Sequence, residues 1–334
     1  MDIGKTLIAC VIAMVFGFLL TYPTRFLAPI LGFMDIPKDE RRMHKKPTPR
    51  IGGVSVYLAF LLSMCLSGLF ALLIPYAVCG LIIVVVGILD DKFSIGPLAK
   101  ILGQAFAGIA LCLFGITVDS LSFFGFVIDL GLLTYPFTVV WVVVISNIFN
   151  LIDGLDGLCC GISILSAACL ALMAFYEGQA NVTASALVFI FSCLGFLPHN
   201  THPAKIFMGD TGAMLCGFVL AALSCQAVYS EDYTMPALIP IVVFGIPIFD
   251  AVFAIIRRLK SGKNIFIGDK LHVHHRLSNR YGHVKAVVLI YMGTLVLVGI
   301  AIIMRFSLAG EIVGTALFAL AVAYGVIRFG IYKE

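Results

Sequence analysis

TYPFTVVWVVVISNIFNLIDGLDGL, residues 134–158, sets the terms for the whole chain. The run Thr134–Leu151 is apolar enough to cross a bilayer, and the stretch closes on Asn147, Asn150, Asp153 and Asp156 with no Lys or Arg near in sequence. Ionisable groups at a membrane edge are costly, so acids without local partners there point to a bound cation, a cationic partner from another segment, or a substrate path. If the run stays helical, Asp153 and Asp156 share a face, and Gly154 and Gly157 leave room for backbone or ligand. A polar turn with its carboxylates in water is the simpler alternative.

Working outward, 61% hydrophobic residues, 12% charged and a mean hydropathy of +1.09 exclude a soluble domain and fit a polytopic membrane protein. A crossing takes about 20 apolar residues, and about eleven runs qualify as candidates. They fall roughly at 3–22, 51–71, 74–89, 98–116, 134–151, 158–176, 182–198, 211–229, 235–256, 285–304 and 309–330, in a single domain over 1–334. The expected fold is an all-α integral membrane protein. The first run is long, lacks a small-residue cleavage site and leads into a basic loop, so no cleavable signal is expected.

Counting loops alternately, one side receives Arg25 to Arg50, Lys92, Lys100, Lys205, Arg257 to Lys285, Arg328 and Lys333, which is 20 of the 22 Lys and Arg. Lys5 and Arg305 fall opposite. The basic side is read as cytoplasmic, with the N-terminus outside and the C-terminus inside. All seven His and most of the Asp residues named here lie on that side, so the working face is cytoplasmic. Opposite, TVDSLSFFGFVIDLG reads as a small extracytoplasmic hairpin turning at Gly125. The ten Cys are scattered through apolar runs with no ligand spacing, as small buried hydrophobes, and no structural disulfide is expected.

Further polar stretches sit at the same edge. DIPKDERRMHKKPTPRIGG, with Asp35, Arg41, Arg42, His44, Lys45 and Lys46, reads as a basic lip over a phosphate site or as a solvated topogenic loop. GILDDKFSIGPLAK places Asp90 and Asp91 side by side, followed by a Gly96–Pro97 break and Lys100. Adjacent helical residues point about 100° apart, so both acids address one ion only if the helix ends there. In LPHNTHPAKIFMGDTGAM, Asp210 stands at the start of a span whose first amides suit an anion, either as a metal ligand or as a plain cap. GIPIFDAVFAIIRRL buries Asp250 in an apolar run, which implies a function or a partner on a neighbouring helix. HVHHRL offers His272, His274, His275 and Arg276, better suited to phosphate oxygens than to zinc.

Hard oxygen ligands, a helix N-terminus and Lys, Arg and His donors at a lipid-facing edge describe Mg²⁺-assisted phosphoryl transfer, with Mn²⁺ as a substitute. Neither a P-loop nor a kinase signature is present. The set VVGILDD, NLIDGLDGL, NTHPAKIFMGDTG, PIFD and HVHHRL, in this order across nearly the whole chain, resembles the polyprenyl-phosphate N-acetylhexosamine-1-phosphate transferases. HVHHRL resembles the form found in the undecaprenyl-phosphate N-acetylglucosaminyl 1-phosphate transferase branch.

The resemblance implies transfer of a sugar 1-phosphate from UDP-GlcNAc to undecaprenyl phosphate in the bacterial cytoplasmic membrane, as the first membrane step of a cell-envelope glycan such as teichoic acid or O antigen. It makes Asp210 the principal metal ligand, with Asp90 and Asp91 beside the phosphates as further candidates. Asn150, Asp153 and Asp156 would line the nucleotide and metal pocket. Phe207 would stack on uracil with Asn200 hydrogen-bonding nearby, and Lys100, His272, His274, His275 and Arg276 would hold phosphates or sugar. A homodimer is implied and no nucleic-acid partner is expected. A phospho-N-acetylmuramoyl-pentapeptide transferase, a transporter of lipid-linked anions and a non-catalytic lipid-binding scaffold remain as alternatives.

Overall fold

The computed structural model describes residues 2–36, 47–230, 233–234, 236–262 and 272–329. Arg41, Arg42, His44, Lys45 and Lys46 of the basic lip lie outside the described residues. The protein is an all-α integral membrane protein. Its long helices are α1 (Ile3–Leu31), α3 (Phe70–Phe93), α5 (Thr134–Ile152), α6 (Leu158–Tyr176), α7 (Ala180–Asn200), α8 (Gly209–Val228), α12 (His283–Phe306) and α13 (Leu308–Phe329). Among the described residues these eight supply segments long and apolar enough to cross a membrane.

Three of the eleven runs read from the sequence fall outside that set, each for a local reason. The helices α2 (Gly52–Leu66) and α4 (Pro97–Leu113) are apolar but only 15 and 17 residues long. At 1.5 Å per residue they extend about 22–26 Å, less than a hydrocarbon core of about 30 Å, although each runs the depth of the bundle, since α3 returns to the end where α2 starts and α5 returns to the end where α4 starts. The run at 235–256 breaks at Phe244 into α9 (Leu238–Val243) and α10 (Gly245–Lys260). A further short helix, α11 (Val273–Tyr281), carries the histidine motif.

The apolar composition divides between two destinations. The helix α8 is apolar all round and nearly wholly buried, packed against α2, α3, α5 and α6, so it forms the centre of the bundle. Large apolar side chains such as Leu7, Phe26, Leu132 and Leu320 instead face outward, where lipid and not water is the expected solvent. Close approach at the centre depends on missing side chains. A Cβ on Gly53 would lie 2.2 Å from the Cα of Gly212, so α2 meets α8 backbone to backbone.

Two-stranded ribbons sit at opposite ends of the bundle. At the end of α5 away from its acids, β3 (Ser120–Phe123) pairs antiparallel with β4 (Phe126–Asp129) through a turn at Phe124–Gly125, as the sequence predicts. At the acid-bearing end, β1 (Met34–Asp35) pairs with β2 (Thr48–Pro49). The chain after β2 then runs beside residues 207 and 208. Phe207 N donates to Pro49 O at 2.8 Å, Gly52 N to Phe207 O at 2.9 Å and Gly53 N to Met208 O at 2.9 Å. The first amides of α2 are thus satisfied by the segment that leads into α8, which fixes Arg50 beside the start of α8.

Candidate active site

The acids expected to converge do so around the first turn of α8, with a division of labour that spacing did not reveal. Asp90 and Asp91 lie in the last turn of α3 and point apart, as adjacent helical residues must. Asp91 turns to α8. It accepts from Asp210 N at 2.9 Å, Thr211 N at 3.0 Å and Thr211 Oγ1 at 2.6 Å, and Arg50 Nε lies 3.1 Å away. The anion at this helix N-terminus is therefore the chain's own carboxylate, not a substrate phosphate, and the cap of α8 is Asp91, not Asp210. The Asp210 carboxylate is left to face the cup. One oxygen meets Arg50 Nη2 at 2.5 Å and the other Lys100 Nζ at 3.0 Å, while Lys100 also pairs with Asp90.

Asp153 completes the cup. The helix α5 ends at Ile152 and α6 starts at Leu158, so residues 153–157 form a turn. Asp153 keeps some exposed surface, yet burial pushes its carboxyl well above the usual range, and the neighbouring Asp210 charge adds to the shift. Burial alone would depress the Arg50 guanidinium, but the charges of Asp210 and Asp91 hold it above its ordinary value. Four carboxyl groups face two cations among these six side chains, so ionising all four would leave two negative charges uncompensated. A hard divalent cation fits that donor set, and the elevated Asp153 carboxyl marks the same shortage of positive charge.

The turn at 153–157 also overturns the shared face expected for Asp153 and Asp156. Asp156 points elsewhere, accepting from His202 Nδ1 at 2.7 Å and Ala204 N at 3.1 Å, with His283 Nε2 at 3.8 Å.

The histidine motif is anchored on Asp250. That carboxylate accepts from Val273 N at 2.6 Å and His274 Nδ1 at 2.7 Å, and lies 3.2 Å from His272 Nδ1. The partner sought for a buried acid in an apolar run is thus the start of α11. His274 Nε2 abuts Gly154, where a Cβ would come within 2.2 Å of it, and His275 Cε1 lies 3.1 Å from the same point. The glycine is what lets the histidine motif seat on the Asp153 turn.

With this arrangement in hand, likeness to known proteins carries weight. Residues 73–228 match glycosyl transferase family 4. A Bacillus subtilis protein named as a probable undecaprenyl-phosphate N-acetylglucosaminyl 1-phosphate transferase is 37% identical over 293 residues, 86% of this chain and 82% of its own. The chain belongs to glycosyl transferase family 4. A decaprenyl-phosphate N-acetylglucosaminephosphotransferase of Mycobacterium tuberculosis is 32% identical over 314 residues, covering 84% of this chain and 78% of that protein. An undecaprenyl-phosphate alpha-N-acetylglucosaminyl 1-phosphate transferase of Escherichia coli K12 is 31% identical over 320 residues, covering 92% and 86%. The resemblance read from the motifs holds, and the protein is a membrane phosphotransferase.

In this family 4 transferase the site residues expected from the sequence fall into groups. Asp90, Asp91, Lys100, Asp153 and Asp210 form the cup, and His272, His274, His275 and Arg276 lie on or at the start of α11 beside it. Asn150 is half-buried one turn before Asp153. Phe207 is half-buried beside Arg50. Asn200 is buried, with Gly157 N donating to its Oδ1 at 3.1 Å and its Nδ2 donating to Ile206 O at 3.0 Å. It clamps the turn after α5 to the segment before α8, and both of its polar atoms are already engaged in that clamp. Sequence reading missed Arg50, which it counted only as loop charge. The available signal was its place directly before Ile51 and the glycine pair that opens α2.

Proposed function

We propose that this protein transfers N-acetylglucosamine 1-phosphate from UDP-N-acetylglucosamine to undecaprenyl phosphate, releasing UMP and forming a lipid pyrophosphoryl sugar. The observation that carries the reading is the set of carboxylates at the start of α8, bridged by Arg50 and Lys100 and faced by the histidine motif. The names of the relatives, which share acetylglucosamine and a polyprenyl phosphate acceptor, support it. Most Lys and Arg of the chain fall in the segments that adjoin the cup in sequence, which supports a cytoplasmic site in a bacterial cytoplasmic membrane.

Asp210, Asp90 and Asp153 would hold Mg²⁺, and Asp91, spent on α8, would orient Asp210. The cation would supply charge neutralisation to the phosphates. Arg50 and Lys100 each pair with Asp210 here, and both are placed to turn toward phosphate oxygens once substrate brings its own charge.

The reaction balances as one displacement. A phosphate oxygen of the lipid attacks the β-phosphorus of the nucleotide sugar, a new phosphoanhydride bond forms, and UMP leaves with the bridging oxygen. A phosphomonoester has a second pKa near ~6, so the acceptor is largely a dianion at neutral pH and gains little from a general base. An aspartyl intermediate would need an accessible carboxylate with free lone pairs. Asp91 has no exposed side-chain surface and is surrounded by donors, while Asp90 is buried against Lys100, which supports direct transfer. The dominant contribution is electrostatic, as groups already in place offset the repulsion between two anions.

The test is purified protein with undecaprenyl phosphate, MgCl₂ and either UDP-N-acetylglucosamine or UDP-N-acetylmuramoyl-pentapeptide, scoring UMP and lipid product. Product from the first donor, reduced about 10³-fold in folded Asp210→Asn, is the expected result. Product from the second donor alone, or a sugar-phosphate adduct trapped on the enzyme without lipid, overturns the reading.

A further inference from the structure

Asp156 does not join the acid cup, and its surroundings have a chemistry of their own. His202 comes from the segment after α7, His283 from the first residue of α12, and Asp156 from the turn that also carries Asp153. One ligand atom from each lies within 4.8 Å of the other two. The contacts of His202 Nδ1, Ala204 N and His283 Nε2 all converge on Asp156 Oδ2, at 2.7, 3.1 and 3.8 Å. His283 Nε2 is buried and makes no hydrogen bond among the described residues, so it is a donor or ligand atom without a proper partner.

Two imidazoles and one carboxylate are a borderline donor set, unlike the all-oxygen cup beside Asp210. We propose that Asp156, His202 and His283 form a second metal site, for Zn²⁺ or a similar borderline cation, which ties the Asp153 turn to the segment before α8 and to α12.

Access and geometry support that assignment. His202 is 42% exposed, while Asp156 and His283 are 14% and 12% exposed, so a cation can arrive from solvent and retain water at a fourth position. The two rings are stacked with centroids 4.2 Å apart and planes 22° apart. A metal is met by turning His202, the exposed member, about its Cβ–Cγ bond so that both nitrogen lone pairs reach one point.

The other His and Asp cluster does not offer the same opportunity. Asp250, His272 and His274 are all buried, and both Asp250 oxygens already accept hydrogen bonds from α11. That cluster serves as an anchor.

The experiment uses the full chain in detergent, stripped of metal and then held at pH 7.5 with saturating MgCl₂, which keeps the acid cup occupied. Co²⁺ is followed by its visible absorption and Zn²⁺ by calorimetry, with Asp250→Asn as a control for the buried cluster. The expected result is one equivalent of Zn²⁺, a Co²⁺ spectrum of low-coordinate N and O ligation, and binding weakened at least about ten-fold in both His202→Gln and His283→Gln but not in Asp250→Asn. Zn²⁺ should raise the unfolding temperature of the wild type and not of His202→Gln. Because His202→Gln removes an exposed side chain, its fold is expected to survive. Equal Zn²⁺ affinity in the two His variants and the wild type, loss of binding only in Asp250→Asn, or no stoichiometric binding overturns the proposal.

Discussion

Replacing Asp91 by Ala separates a structural carboxylate from the catalytic ones around it. The substitution removes the acceptor for three donors on the first turn of α8 and one of the two carboxylates that hold Arg50. Breaking a buried pair by removing one partner costs about 3–5 kcal/mol, and losing a helix cap about 1 kcal/mol. These overlap, since one carboxylate does both, and Arg50 keeps Asp210. A loss of about 4 kcal/mol is the working figure, equivalent to a fall of roughly 8–16 °C in unfolding temperature at 2–4 °C per kcal/mol. Asp91→Asn keeps one carbonyl oxygen for the amides and should lose about 1–2 kcal/mol. The single tryptophan, Trp141, donates from Nε1 to Ser224 Oγ at 2.9 Å and so reports α5 against α8 by its fluorescence. Unfolding of Asp91→Ala within 2 °C of the wild type, with turnover abolished, would sink the capping role and place Asp91 on the substrate instead.

Other perturbations test the remaining contacts. Asp153 has a folded pKa raised above its unfolded value, so the folded chain keeps a proton that the unfolded chain releases near pH 4. Metal-free protein should therefore lose stability as pH rises from there through the folded pKa. Asp153→Asn should flatten that dependence in metal-free thermal melts, and a profile as steep as the wild type's would refute the assignment. Asp250→Ala leaves the buried His274 imidazole and the Val273 amide without their acceptor and removes the carboxylate beside His272. It should cost about 3 kcal/mol in a melt and raise KM for the nucleotide sugar, whereas an unchanged KM would detach the histidine motif from substrate. Gly154→Ala drives a methyl group into His274, so activity should fall at least about ten-fold with the fold intact, and wild-type turnover would show that this seat is not needed.

The sequence was most informative where one residue type could satisfy only one demand. Apolar length located the long helices, and the polar residues crowded at one edge located the cup, because acids there need a reason to stay. The hairpin at Phe124–Gly125 was legible from alternation and a glycine. What escaped depended on partners distant in the chain. No local pattern says that Asp91 caps a helix through Asp210, 119 residues later, or that Arg50 rather than Lys92 reaches Asp210. Asp153 and Asp156 look equivalent by spacing, and only the end of α5 at Ile152 sends them to different neighbours. The break at Phe244 in the run at 235–256 escaped as well, because hydropathy does not see where a helix stops.

The cap on α8 also sets a timetable for making the protein. Asp90 and Asp91 leave the ribosome long before the helix that needs them, and at 5–20 residues per second the 119 residues between Asp91 and Asp210 take roughly 6–24 s to synthesise. During that interval α3 presents two acids to the membrane boundary with only Lys92 and Lys100 close by in sequence. Closure awaits the arrival of α8 between α3 and α5, and the histidine motif cannot land on Gly154 until α11 has followed. A nascent chain stalled before Gly209 would therefore sit in the bilayer with most of its spans in place and no catalytic centre.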